Sequence, residues 1–351
     1  MRHRLYTLMG FLLIAVSCAW AQISEQRLFT IPYGTGKDQI AVPPLREEIE
    51  SVPTTQAPII MRRLQTGDFA LVSNRRGDGV VLQVFNAEGQ LRSYAQLANV
   101  DSAAPLTVYE GKVYSFLYAV PADLKREELM QAFRSDGKPV PLDEVRHRLV
   151  AVLKEIGFNG FGEPVVCGNS LHIPVYCRSN GATHQKLITL TKSGDIEISD
   201  LPLFGYPVCL PGDELGILAF DSPVENTVRL LQKSGNEILR ASSLEQEEER
   251  IAQDIAGQGL TYPFLASSRS LVAKNNFLVL FYMACYEKDD TTLGFPANRI
   301  IMTILDSKGQ PVKRVQFDTP GGFLWDTDSE GNVYYLAFTK EGAEMRKLTI
   351  R

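Results

Sequence analysis

Histidine is scarce in this sequence. The 351 residues hold four, and His3 falls in the opening segment, which leaves His147, His172 and His184. No serine or cysteine stands in a pattern that pairs it with one of these as an activating base. Cysteine is scarce too, and the spacing of the five is not that of a zinc site. Basic charge is short: 36 Lys and Arg face 41 Asp and Glu, a net charge of −5. That balance argues against a nucleic-acid partner and against docking on anionic lipid. No long apolar run follows the first residues, so no transmembrane segment is expected in the mature chain.

The opening residues read as a secretory leader. Arg2, His3 and Arg4 are basic, Leu5 to Val16 is apolar but short, and Ala19-Trp20-Ala21 fits a small-x-small cleavage site. Cleavage after Ala21 would leave residues 22–351 as one exported domain, periplasmic or extracellular. Anchoring as a lipoprotein at Cys18 is the alternative, although Ala15-Val16-Ser17 lacks the usual leucine. The leader holds two of the basic residues and no acidic one, so the mature chain is more acidic still. Its four cysteines, Cys167, Cys177, Cys209 and Cys285, read as buried free thiols. If any two pair, Cys167 and Cys209 are the pair, because they hold matching places in neighbouring repeats.

Those repeats organise the chain. Proline followed by apolar residues recurs at Pro58, Pro105, Pro164, Pro207 and Pro263, spaced 43 to 59 residues apart, and more loosely at Pro320. Proline lacks a donor and suits the first residue of a strand. Each proline leads to a tight turn, such as Tyr109-Glu-Gly-Lys or Ser329-Glu-Gly-Asn, and then to an apolar strand. Second turns follow at Ala87-Glu-Gly-Gln, Ser135-Asp-Gly-Lys, Lys192-Ser-Gly-Asp, Lys233-Ser-Gly-Asn and Ser307-Lys-Gly-Gln. Two hairpins per repeat predict an all-β, six-bladed β-propeller of four-stranded blades. The last repeat lacks a fourth strand. Arg27–Ile31 is a spare strand near the start, and it is expected to complete that blade beside the segment ending at Ile350.

Two segments break the β pattern. Leu142–Ile156 carries apolar residues at helical spacing before Gly157, and Ser243–Ala256 reads as a polar surface helix. Pro121–Phe133 reads as a helix running into a short strand. The fold class therefore includes two or three short helical insertions between blades.

Turns inside the hairpins are short, and longer connections gather at the other face: Arg178–His184, Asp221–Asn226, Ser243–Tyr262 and Tyr286–Arg299. Binding residues concentrate on such loops. The candidate ligand-binding set is His184, Tyr206, Asp221, Tyr262, Tyr286, Asp289 and Asp290. His147 reads as solvated and His172 as packed core. Asp326-x-Asp328-x-Glu330-Gly331 has the start of a calcium loop, but Ala337 stands where a bidentate glutamate is needed, so it reads as a turn. Gly34-Thr-Gly-Lys-Asp lacks the first glycine and the hydroxyl of a phosphate loop. Arg76-Gly77-Asp78 matches an adhesion tripeptide and reads as a turn.

Asp328-Ser-Glu-Gly-Asn-Val-Tyr-Tyr-Leu336 resembles the Asp-x-x-Gly-Asn-(Ile/Val)-Tyr-(Val/Leu) hairpin of six-bladed propellers. That hairpin occurs in NHL-repeat proteins and in gluconolactonase-like and related exported bacterial propellers. Ile31-Pro-Tyr-Gly-Thr-Gly-Lys-Asp-Gln-Ile40 is similar to a lead-in segment of such proteins. The resemblance covers the last blade and this lead-in, and it implies a fold class without a chemistry. Two functions follow as expectations. One is a non-catalytic binding or scaffold propeller, monomeric, recognising a protein or small ligand, with no cofactor. The alternative is a metal-dependent hydrolase or lactonase of the gluconolactonase-like kind, whose cofactor would be a divalent cation.

Overall fold

Tight glycine turns fold the chain into successive antiparallel hairpins, and these stack as a β-propeller. The computed structural model describes residues 23–40, 58–64, 66–75, 78–97, 106–116, 130–134, 136–179, 181–201, 205–220, 228–241, 244–257, 264–268, 273–274, 277–286, 297–306, 310–319, 324–339 and 341–350. The leader and the cleavage site lie outside them.

Strand β1 (Ile23–Ile31) comes first. Strands β2 (Pro58–Arg63), β3 (Phe69–Arg75), β4 (Gly79–Phe85) and β5 (Leu91–Gln96) make one sheet in that order. Strands β6 (Leu106–Tyr109), β7 (Lys112–Phe116) and β8 (Met130–Arg134) make the next. Helix α1 (Asp143–Glu155) follows. Then come β9 (Phe158–Phe161), β10 (Val165–Cys167), β11 (Ser170–Ser179), β12 (Ala182–Thr191) and β13 (Ile196–Asp200), ordered β10-β11-β12-β13 with β9 also on β11. Strands β14 (Gly205–Leu210), β15 (Glu214–Phe220), β16 (Val228–Gln232) and β17 (Glu237–Ala241) form a sheet in sequence order, and helix α2 (Leu244–Gly257) follows. Strands β18 (Phe264–Ser268), β19 (Ala273–Lys274), β20 (Phe277–Tyr286), β21 (Ala297–Leu305) and β22 (Pro311–Thr319) form the next, with both β18 and β19 on β20. Strands β23 (Trp325–Thr327), β24 (Val333–Phe338) and β25 (Ala343–Ile350) end the chain, and β1 lies outside β25.

Five of these sheets are blades, not the six that the repeats predicted. The second repeat yields only the three-stranded sheet β6-β7-β8. Its expected outer strand shrinks to one bridge between Phe133 and Pro139. Pro139 and Pro141 lack the N–H that a ladder needs, and α1 begins two residues later.

The spare N-terminal strand lies where the strand arithmetic put it. β1 runs antiparallel to β25 from Ile23 opposite Ile350 to Ile31 opposite Ala343, with a bulge between Arg27 and Phe29. Phe29 and Ile31 are buried with Tyr334, Leu336 and Met345 against Met61, Phe69 and Phe85 of the first blade. Polar side chains reinforce the seam. The Arg346 guanidinium donates to Glu25 at 2.8 Å and to Glu344 at 2.6 Å, and Tyr335 Oη donates to Glu25.

Phe29 also fixes one turn. A Cβ on Gly89 would stand 2.7 Å from the Phe29 ring, and Gly89 has φ +82°. Gly89→Ala therefore combines backbone strain with a clash and should cost about 2 kcal/mol. Urea denaturation checks this, and an unchanged midpoint would show that the Phe29 contact gives way freely.

Both expected helices are present. Leu149 and Leu153 of α1 are buried in the core beneath it. Gly157 ends α1 at φ +69°, where a Cβ would meet the Arg178 carbonyl oxygen at 2.8 Å. Ile251 is buried in α2, as its one-sided apolar pattern requires. Of Pro121–Phe133, residues 121–129 lie outside the described residues, and the rest is strand.

The thiol reading is corrected. Cys167 and Cys209 form a disulfide, with Cα atoms 5.0 Å apart. Cys177 is a buried free thiol, and the Cys285 side chain lies outside the described residues.

The lead-in loop is no anion cradle. Its backbone oxygens point at the buried Arg75, which donates to Gly36 O at 3.1 Å and also to Gln39 O. Of the adhesion tripeptide, Asp78 accepts a hydrogen bond from Tyr94 Oη at 2.7 Å.

Candidate functional site

The inner strands of neighbouring sheets converge on one axis. β2 packs beside β23 and β6, and β10 packs beside β6 and β14. β2, β6, β10, β14 and β23 are short and each leads into a tight turn, so these strands approach closely at that end. Two turns use non-glycine residues in the left-handed region: Glu110 at φ 50° and Asp213 at φ 60°. Such backbone is costly for a residue with a side chain and sets the direction in which each Cα–Cβ bond leaves the turn.

A cavity of 490 Å³ opens between these strands and turns. Its wall includes Tyr109, Val166, Tyr206, Pro207, Cys209 and Trp325, and exposed Thr66, Glu110, Asn169, Asp213 and Ser329 ring its mouth. Two contacts stitch the rim. Tyr109 Oη donates to Asn169 O at 2.6 Å, and Gly212 N donates to Ser329 O at 3.1 Å.

Charge in the cavity is unbalanced. Glu110, Glu163, Asp213, Asp326 and Asp328 line it beside Arg62 and Arg63, and Lys192 Nζ lies 3.8 Å from Glu110 outside the lining. Both arginines are already engaged. Arg62 reaches past β6 to Glu163 at 3.5 Å, and Arg63 lies 3.7 Å from Asp328 and 4.8 Å above the Tyr334 ring. The lining therefore counts more acidic than basic side chains, with Asp213 an exposed acid at the mouth, beside the aromatic Tyr109, Tyr206 and Trp325.

Asp326 and Asp328, two residues apart, are driven in opposite directions. Burial pushes the Asp326 carboxyl up, against the Arg62 charge and the Arg63 N–H that it accepts at 2.6 Å. Burial also pushes Asp328 up, but hydrogen bonds from Asn332 and Tyr334 and the Arg63 charge outweigh it and hold it below the usual range. Asp328 thus acts as the anchor of its turn, as the turn reading expected. Asp326 is the carboxyl that can hold or release a proton near the cavity.

Of the sequence candidates that lie among the described residues, Tyr206 alone lines the cavity. His184 lies within β12, opposite Cys177, and its charge helps to lower the Asp200 carboxyl after the nearer Lys186. Tyr286 lies in β20 opposite Ala297, with its side chain outside the described residues. Asp221, Tyr262, Asp289 and Asp290 lie outside them altogether. Sequence reasoning missed Arg62, Arg63 and Glu163, and it weighed Asp326 only as part of a calcium-like turn. A signal was there: consecutive arginines in an inner strand, and two acids at alternate positions where core residues are the rule. Among the described residues no three of His, Cys, Asp and Glu come together as a metal site would require.

Fold and cavity together define an all-β propeller with a polar, acidic central channel. No protein-family model and no curated protein matches the chain. Among solved structures, the soluble aldose sugar dehydrogenase from Escherichia coli in its apo form is similar at 12% identity, over 94% of this chain and 100% of that one, with a TM-score of 0.37. The GH43 endo-arabinanase from Bacillus licheniformis is similar at 11% identity, over 73% of this chain and 95% of that one, with a TM-score of 0.34. Apo AztD from Citrobacter koseri is similar at 11% identity, over 77% of each chain, with a TM-score of 0.31.

Proposed function

We propose that this chain is an exported, monomeric, non-catalytic propeller that binds a small, polar, positively charged ligand in the central cavity. One observation carries the reading: five acidic residues and two arginines line the cavity, and pairing the arginines with Glu163 and Asp328 leaves Glu110, Asp213 and Asp326 in excess. An arriving cation meets the acidic side chains at the mouth and the part-exposed aromatic side chains of Tyr206 and Trp325. Export agrees with the leader and with a disulfide, which persists in oxidising compartments. Within the propellers, the Asp328–Leu336 hairpin favours the NHL-repeat and gluconolactonase-like kind. His184, Asp221, Tyr262, Tyr286, Asp289 and Asp290 stay proposed as contacts for a partner away from the cavity.

Tryptophan fluorescence tests the reading, because Trp325 is in the wall and Trp20 is the only other tryptophan. The Trp325→Phe variant supplies the background. Spermidine is expected to change the Trp325 signal saturably, while glucose and citrate do not. Asp213→Asn should weaken spermidine about tenfold, the loss of one charge-assisted contact at the exposed mouth. Binding of glucose or citrate in place of spermidine would overturn the charge argument. A thermal shift with calcium alone would favour the metal-dependent hydrolase instead.

A further inference from the structure

We propose that the Cys167–Cys209 disulfide is a redox-controlled clamp on the cavity, reduced in the folded protein by a small dithiol that enters through the cavity mouth. The bond joins two inner strands that share no ladder. β10 and β14 belong to different sheets, and the disulfide holds their Cα atoms 5.0 Å apart. Val165, Val166 and Gly168 on one side, and Pro207 and Val208 on the other, are cavity wall. Parting the sulfurs therefore frees wall from wall.

The two cysteines are not equally buried. Cys167 is only 4% exposed, whereas Cys209 is half-buried and faces the cavity. Attack rates depend on which sulfur can be reached. A thiolate of the dithiol attacks Cys209 Sγ, the S–S bond breaks, and Cys167 leaves as a thiolate that takes up a proton. The second thiol of the reductant then displaces Cys209 and departs as a cyclic disulfide. Two cysteine thiols are formed and one dithiol is oxidised.

The two blades have other ties, so the fold should outlast the bond. Gly205 N donates to Gln185 Oε1 at 3.0 Å, and Leu187, Leu201 and Leu215 pack between the blades. What reduction loosens is the wall itself. The inference holds whichever ligand the cavity takes.

The test treats the folded full chain with dithiothreitol, and in parallel with a dithiol reductase protein at equal thiol concentration. Alkylation followed by mass spectrometry counts thiols, far-UV circular dichroism follows the fold, and fluorescence corrected with Trp325→Phe follows the wall. Two new thiols should form with dithiothreitol while the dichroism holds. Cys209 should alkylate at least about tenfold faster than Cys167, as its access requires. The Trp325 emission should move to the red, and the Cys167→Ser, Cys209→Ser chain should show the same emission without reductant. A disulfide that yields only in denaturant would overturn the inference, and so would an unchanged Trp325 signal after reduction. Equally fast reduction by the protein reductase would overturn the cavity route. If the double variant does not fold, the dithiothreitol series on the native chain decides alone.

Discussion

A chain lacking Ile23–Ile31 is expected to be unable to hold the native fold at room temperature. The deletion strips β25 of its whole outer partner, from Ile350 to Ala343. It removes the buried Phe29 and Ile31 from the seam between the last blade and the first. Burial of two such side chains is worth about 2 to 3 kcal/mol each, and the lost ladder adds about 1 kcal/mol per bond. The total reaches about 5 kcal/mol or more, which is comparable with the whole stability of an ordinary domain. It also bares a long sheet edge, an invitation to aggregate. Three acceptors and donors lose partners as well: Glu344 keeps only Arg346, and Arg346 and Tyr335 lose Glu25. Dichroism and size-exclusion chromatography on the deleted chain check the expectation. A monomer with an unaltered melting temperature would show that the seam is sealed by something other than β1. A milder version, Phe29→Ala, should cost about 3 to 4 kcal/mol.

Local features of the fold were legible in the sequence, because hairpins are local. The turns at Gly89, Gly137, Gly194, Gly235 and Gly331 all take positive φ, as their spacing after each strand implied. Closure by β1 was legible through counting alone. The blade count was not, since it turned on Pro139 and Pro141 refusing the strand that the Ser135-Asp-Gly-Lys turn predicts. The cavity was harder still. Arg62 and Glu163 are 101 residues apart, and they meet only because β2, β6 and β10 share an axis. The long connections carry most of the sequence candidates, and the cavity lies instead among the short inner turns. The short turns are what let Glu110, Asp213 and Asp328 crowd round one opening. The disulfide was half visible: equal places in neighbouring repeats pointed to the right pair, but the sequence has no measure of how closely two blades approach.

Acidification from pH 7 to pH 4 is expected to cost this protein about 3 kcal/mol through His172 alone. His172 stands in β11 between Val165 and Thr189, 7% exposed, with Nδ1 3.0 Å from Thr189 Oγ1. Burial, and after it the positive charge of Lys233, pull its pKa down from 6.5 to about 4. Above pH 6.5 the ring is neutral in both folded and unfolded chains, and it contributes nothing to pH dependence. Between 6.5 and 4 the unfolded chain takes up a proton that the folded chain refuses. Stability then falls by about 1.4 kcal/mol per pH unit. Below 4 both forms are protonated and the loss levels off. The carboxylates held low in the fold, Asp328 among them, lose their contribution in a more acid window, so the two effects separate on the pH axis. His172→Gln removes the titration while keeping a partner for Thr189. Urea midpoints measured at steps from pH 7 to 4 should fall less steeply for the variant than for the native chain. Parallel curves would mean that the imidazole finds a proton acceptor on folding and is charged inside the blade.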